Sequence, residues 1–157
     1  MPYFVVHEHH SKRLHYDFRL EIDGVLKSWA VPKGPSMSPH DKRLAIAVDD
    51  HPLEYGRFEG IIPDGYYGAG PVVIWDAGDF DLRDNDMAKG RIDFLLKGKK
   101  LKGVFVLTRL KGKDKEWLLI KKKDEFALPA FIIAPELTEK RLRALSEKAP
   151  PCNVDEG

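Results

Sequence analysis

Between His15 and Val31 the chain reads as two alternating apolar and polar runs on either side of Asp23-Gly24, and few patterns restrict a backbone more tightly. Asp-Gly favours the two-residue turn whose twist matches that of the flanking strands. With those two residues at the turn, Ile22 faces Val25, Leu20 faces Lys27 and Phe18 faces Trp29. Successive strand side chains point to opposite faces, so Tyr16, Phe18, Leu20, Ile22, Trp29 and Val31 are directed at a core. The other face of the first strand then carries His15, Asp17, Arg19 and Glu21, with Asp17 opposite Ala30 and Arg19 opposite Ser28, small partners that leave room above the row.

The same period-two signal, broken by Gly, Pro and Asp turns, predicts strands at Leu44 to Asp49, Val72 to Trp75, Phe80 to Arg83, Ile92 to Leu96, Val104 to Leu110 and Trp117 to Lys121. Between them Gly60 to Pro71 reads as an ordered loop whose glycines permit positive φ and shape a groove. Pro135 to Lys148 reads as a helix with Leu137, Leu142 and Leu145 as its apolar stripe. Many short strands with few helices define a mainly β fold, a small barrel or a curved sandwich. At 157 residues the chain fits one domain, with a core at about 4–126 and a C-terminal helix and tail at about 127–157.

Composition removes several function classes. No stretch approaches the ~20 apolar residues of a membrane span, and the start lacks the charged and apolar regions of a signal peptide, so an intracellular, cytoplasmic location is expected. One cysteine, Cys152, stands in a polar tail, which excludes an internal disulfide and a thiolate-rich zinc site. Any metal is therefore held by imidazole and oxygen. A net charge of +1 is not that of a protein tracking a long duplex. The lysines from Lys97 to Lys123, Lys121 among them, form either a solvated hairpin surface or a local phosphate-binding patch.

Four of the six histidines, His7, His9, His10 and His15, lie in the first fifteen residues. His15 and Asp17 share a strand face and can bind one ion as imidazole nitrogen and carboxylate oxygen; His9, in the segment entering that strand, can complete a two-histidine, one-carboxylate set with open positions for water or substrate. An ordinary solvated face with a surface ion pair gives the same pattern. Arg19, one strand step on, offers a planar cation matched to phosphate oxygens, or else pairs with Asp17 or Glu21. His51 and Tyr55, around Pro52, are placed either to protonate and hydrogen-bond a leaving oxygen or to serve as a structural turn; Pro52 argues against a helix starting at His51.

The run His9-His10-Ser11-Lys12-Arg13-Leu14-His15-Tyr16-Asp17-Phe18-Arg19-Leu20-Glu21 closely resembles the signature of the 3′-phosphoesterase domain of bacterial DNA ligase D and its free-standing archaeal relatives. The likeness continues through Gly24 to Ser36, Asp50 to Tyr55, Phe58-Glu59-Gly60, Ile62-Pro63, Tyr67-Gly68 and Ile74-Trp75-Asp76, and more loosely through Trp117 to Lys121. The resemblance implies a compact β-barrel with a few short peripheral helices and long shaped loops. It implies manganese, or another divalent transition metal, bound by His9, His15 and Asp17, with Arg19, His51 and Tyr55 on the scissile phosphate and Lys33 and Arg43 as substrate-binding residues near the groove. The implied reaction is hydrolysis at DNA or DNA/RNA 3′ ends, removing a terminal ribonucleotide to leave a 3′-phosphate and then that phosphate to leave a 3′-hydroxyl, in non-homologous end joining with a DNA ligase and a polymerase.

Two departures from the family pattern favour phosphate removal over ribonucleotide removal. The chain begins at Met1 without the N-terminal segment of the ligase-fused members, and His7 stands where they usually carry glutamine. Two further readings compete: a catalytically silent nucleic-acid or partner-binding module, and a non-haem iron oxygenase using His15, Asp17 and a distal His51.

Overall fold

In the computed structural model, which describes residues 2–151, nine strands form one antiparallel sheet: β1 (Tyr3–His10), β2 (Leu14–Ile22), β3 (Val25–Val31), β4 (Lys42–His51), β5 (Gly60–Ile62), β6 (Gly70–Asp86), β7 (Arg91–Lys97), β8 (Lys102–Arg109) and β9 (Glu116–Lys121). The order is β1-β2-β3-β4-β9-β8-β7-β6, and β6 returns to pair with β1, so eight strands close into a barrel while β5 adds to the end of β6. Of barrel and sandwich, the barrel is the one formed, and closure removes the exposed edges of an open sheet.

The β2–β3 hairpin has the register expected from Asp23-Gly24, with Ile22 opposite Val25, Phe18 opposite Trp29, Asp17 opposite Ala30 and Arg19 opposite Ser28. Asp23 and Gly24 take φ of 56° and 80°, the left-handed pair that a mirror-image hairpin turn requires. Tyr16, Phe18, Leu20, Ile22, Trp29 and Val31 all lie in the barrel core, packed with Phe80, Phe94, Phe105, Trp117 and others. Phe94 and Phe105 stack with centroids 6.2 Å apart, and Trp29 meets Trp117 edge-on at 5.8 Å.

Several expectations need correction. Residues before His10 form a full strand, β1, rather than a lead-in segment. The runs Val72 to Trp75 and Phe80 to Arg83 are one strand, β6, and the Gly60 to Pro71 loop contains β5. β6 runs through Asp76-Ala77-Gly78-Asp79 without turning because it pairs with β1 up to Asp79 and with β7 from Asp79 onward, and the Asp76 carboxylate accepts from the backbone N–H groups of Lys99, Lys100 and Leu101 in the β7–β8 turn at 2.8–3.1 Å. Asp76 is buried, so Asp76→Ala should strand these donors and cost about 3 kcal/mol of stability; urea denaturation measures this, and a loss below about 1 kcal/mol would refute the clamp.

The C-terminal helix is α1 (Glu139–Ala144), capped by Thr138, with no buried residue and with Leu142 exposed. It is shorter than Pro135 to Lys148, and its leucines do not form a core-facing stripe. What holds this segment to the barrel is polar: buried Glu8 accepts from the Glu136 and Leu137 backbone N–H groups, and Glu59 receives Arg141 at 2.7 Å. Lys121 is not part of a solvated lysine surface. It is buried, donates to the carbonyls of Val104 and Lys122, and pairs with Asp124 at 2.6 Å. Cys152 falls outside the described residues. Among the described residues, no helix is long and apolar enough to cross a membrane.

Candidate metal centre and anion site

The barrel's outer face between β1, β2 and β3 is a grid of polar side chains. Because β1 is antiparallel to β2, His9 sits opposite His15, His7 opposite Asp17 and Val5 opposite Arg19. Phe4 and Val6 take the inward positions, which leaves His7 and His9 outward beside His15, Asp17 and Arg19. His9, His15 and Asp17 each bring one ligand atom to within 4.8 Å of the others.

The hydrogen bonds of the two imidazoles show which nitrogens face a shared ion. His9 Nε2 lies 2.6 Å from the Gly68 carbonyl oxygen, and His15 Nδ1 lies 3.2 Å from that of Arg13. A carbonyl only accepts, so each of these nitrogens carries the proton of its ring. In the neutral rings this leaves His9 Nδ1 and His15 Nε2 as lone-pair donors, 3.4 and 3.3 Å from the two oxygens of Asp17. Orientation of a metal-binding imidazole by a carbonyl on its far nitrogen is the usual supporting arrangement for a metal site. The donor set, two imidazoles and one carboxylate, suits a divalent transition metal. Gly68 has a φ of 77°, and a Cβ there would come within 2.9 Å of His9 Cε1, so the carbonyl reaches the ring only because the residue is glycine.

Arg19 is 2 % exposed and every arm of its guanidinium is engaged. Nε donates to His7 Nδ1 at 3.1 Å, Nη1 donates to Ser28 Oγ at 2.9 Å and lies 3.2 Å from His51 Nδ1, and Nη2 donates to Asp17 Oδ2 at 3.4 Å. Ser28 therefore fills the room that its small size was expected to leave. Glu21 takes no part in this network and instead accepts from the Tyr3 backbone N–H. The Tyr55 ring lies under the guanidinium, 4.7 Å from Cζ to centroid, and meets His51 and His7 edge-on at 4.7 and 5.2 Å. It is anchored in a small outer cluster with Leu26, Phe58, Ile62 and Val72.

His51 reaches the site through a bulge. Leu26 and Ser28, two apart on β3, face His51 and Val48, three apart on β4. Without the extra residue Asp50 would stand opposite Leu26. Pro52 ends the strand, and a 3-10 helix over Leu53–Arg57 brings Tyr55 alongside. The oxygenase triad expected of His15, Asp17 and His51 is not the set that forms, since His9 completes the cluster and His51 faces Arg19.

Sequence reasoning missed His7 as a member of the site. It is fully buried, and because Nδ1 accepts from Arg19, its Nε2–H donates to the Phe58 carbonyl at 3.1 Å. Its signal was its two-residue spacing from His9, usable once the segment is known to be a strand. Lys33 stands exposed in the turn after β3. Arg43 lies on β4, next to Ala45 on the core side by alternation, and pairs with Asp41 at 3.5 Å. Among the described residues, no hydrogen bond or ion pair joins either of them to the cluster.

Burial alone would raise the Asp17 carboxyl pKa, but its contacts with His15 and His9, which tighten when those rings take up a proton in the absence of an ion, and the Arg19 charge override it and hold the group far below the usual range. Burial opposes protonation of His15, yet its bond to Asp17 and that carboxylate's charge win and raise its pKa. His7 is lowered well below its ordinary value by burial and by Arg19. His51 is lowered to about 4 by the same causes. Both are neutral in the folded protein where unfolded histidines, of pKa 6.5, take up protons. Folding stability should therefore fall as pH drops from about 6.5 towards 4, by about 1.4 kcal/mol per pH unit for each group. His15 acts in the opposite sense and in another window: its contribution is complete below 6.5 and is lost as pH rises through its raised value. Urea melts of chelator-treated protein should show the acid slope, reduced by about 1.4 kcal/mol per pH unit in His51→Asn; an unchanged slope would mean that His51 is not held neutral.

The fold and site together define a closed antiparallel barrel carrying, on its outer face, a histidine–carboxylate cluster able to hold a metal ion, with an arginine beside it. Residues 7–109 match the family model described as the DNA ligase D 3′-phosphoesterase domain. The chain is 53% identical over 126 residues to the multifunctional non-homologous end joining protein LigD of Pseudomonas aeruginosa, covering 77% of this chain and 15% of that protein. It is 48% identical over 139 residues to the LigD DNA repair protein of Mycobacterium tuberculosis, covering 85% of this chain and 18% of that protein. The chain belongs to the DNA ligase D 3′-phosphoesterase domain family. It spans less than a fifth of the length of these curated relatives.

Proposed function

We propose that the chain is a manganese-dependent phosphoesterase that heals DNA 3′ ends, hydrolysing a terminal 3′-phosphate, and a terminal 3′ ribonucleotide as well, to leave a 3′-hydroxyl for ligation in non-homologous end joining. The observation that carries this reading is the juxtaposition of a two-imidazole, one-carboxylate cluster with a guanidinium bonded to the same carboxylate. Phosphoryl transfer is accelerated chiefly by positioning and charge neutralisation, and this pair offers both.

Manganese, held by His9 Nδ1, His15 Nε2 and Asp17, would supply a Lewis acid against the phosphate's charge. Arg19 adds a fixed cation whose planar group is already oriented by His7, Ser28 and Asp17, so little reorganisation is needed when the anion arrives. Its Nη1–H is also 3.2 Å from His51 Nδ1, a nitrogen for which the Asp49 carbonyl competes as an acceptor at 3.0 Å. When that nitrogen accepts, the neutral imidazole carries its proton on Nε2, the tautomer that can donate to a phosphate oxygen or to the departing 3′ oxygen. In the hydrolysis, water oxygen bonds to phosphorus, the bond from phosphorus to the 3′ oxygen breaks, that oxygen takes the Nε2 proton of His51, and the proton released by the attacking water restores the imidazole. Tyr55 braces Arg19 and His51 from beneath. Lys33 and Arg43 are assigned to the longer course of the strand, where no tight geometry is required.

The test is release of phosphate from a purified DNA strand ending in 3′-phosphate, with manganese and with chelator. Release that requires the metal and is lost in His15→Ala supports the reading. Binding of ends without any release would make the chain a silent module of the same fold, and full activity in His15→Ala would remove the proposed ion site.

A further inference from the structure

Among the described residues, three aromatic side chains are strongly exposed: Tyr66, Tyr67 and Phe126. The first two are consecutive and lie at the rim of the site. Tyr67 is 100% exposed, and the next residue, Gly68, holds its carbonyl 2.6 Å from His9 Nε2. The segment is a built turn. The Tyr66 N–H donates to Pro63 O and the Ala69 N–H to Tyr66 O, both at 3.3 Å, and Gly65, Gly68 and Gly70 take φ of 93°, 77° and 131°. A fully solvated ring buries nothing against the barrel and adds nothing to the core, so its place one residue from the cluster is not explained by folding.

A nucleotide whose 3′-phosphate sits over His9, His15 and Asp17 must send its base out past the rim. An uncharged ring offers little to a phosphate, but every base has a π-face that stacks on an aromatic side chain whatever its sequence. We propose that Tyr67 is the platform on which the base of the terminal nucleotide stacks, so that the enzyme recognises the last nucleoside of the strand as well as its phosphate. This rests on the phosphoesterase reading above and assigns one specificity-determining residue to it.

Steady-state kinetics on two strands ending in 3′-phosphate, one with a normal terminal base and one abasic at that position, separates the outcomes. On the normal strand Tyr67→Ala should raise KM about tenfold with kcat within about twofold, and Tyr67→Phe should behave as wild type. On the abasic strand wild type and Tyr67→Ala should be equal. With metal chelated to stop turnover, a terminal 2-aminopurine should change its fluorescence on binding wild type and not on binding Tyr67→Ala at saturation. Equal KM values on the normal strand, or an equal fluorescence change, would overturn the stacking role while leaving the phosphoesterase intact. A wild-type protein that released no phosphate would instead remove the reading on which the role rests.

Discussion

Asp17→Asn should release phosphate from a 3′-phosphate strand roughly a thousandfold more slowly than wild type, a barrier increase of about 4 kcal/mol. The substitution changes one oxygen to an amide nitrogen and nothing in shape. It removes the negative charge that His9, His15 and Arg19 all address, so an ion would lose its anionic ligand and Arg19 its partner. Manganese affinity, measured by calorimetry, should fall by about a hundredfold or more. Since the carboxylate is held far below its usual pKa, acid should weaken metal binding through protonation of His15, whose pKa is raised, and not through Asp17. A variant that kept wild-type turnover would show that Asp17 only balances Arg19.

Arg19→Lys should have the second largest effect, lowering kcat/KM by about two to three orders of magnitude while leaving manganese affinity within a few-fold of wild type. A lysine keeps the charge, but its single ammonium cannot donate to His7, Ser28, His51 and Asp17 from one rigid plane. Ser28, His7 and His51 would lose their common donor, and His51 Nδ1 would be left to the Asp49 carbonyl, which favours the tautomer without a proton on Nε2. Metal titration and kinetics on the same protein preparation separate this from Asp17→Asn, in which both readouts fall.

The β2–β3 hairpin was legible because one of its faces is apolar throughout and its turn residues fix the register. The ligand row on its other face followed from parity alone. β1 was not legible for a physical reason: Val5, His7, Glu8 and His9 are all buried along with Phe4 and Val6, so polarity does not alternate even though the side chains do. A strand covered on both faces loses its period-two signature, and His7 was lost with it. His51 depended on a bulge in β4, and a bulge shifts parity without a mark in the local sequence. The Pro135 to Lys148 region failed because leucine spacing suggested a packed helix where the attachment is by Glu8 and Glu59. Lys121, within a run of lysines, has its charge satisfied by the adjoining Lys122 carbonyl, by Asp124 three residues on and by the Val104 carbonyl of β8, and the burial this requires is not marked in the run itself. The family resemblance pointed to His9, His15 and Asp17 by another route, and the fold brings those three residues together.

Soaking crystals with manganese and locating the ion by its anomalous scattering tests the metal centre most directly. One strong peak should lie at bonding distance from His9 Nδ1, His15 Nε2 and the Asp17 carboxylate, with His9 Nε2 and His15 Nδ1 still bonded to the Gly68 and Arg13 carbonyls. A peak placed elsewhere, or an ion on the opposite nitrogen of either ring, would contradict it.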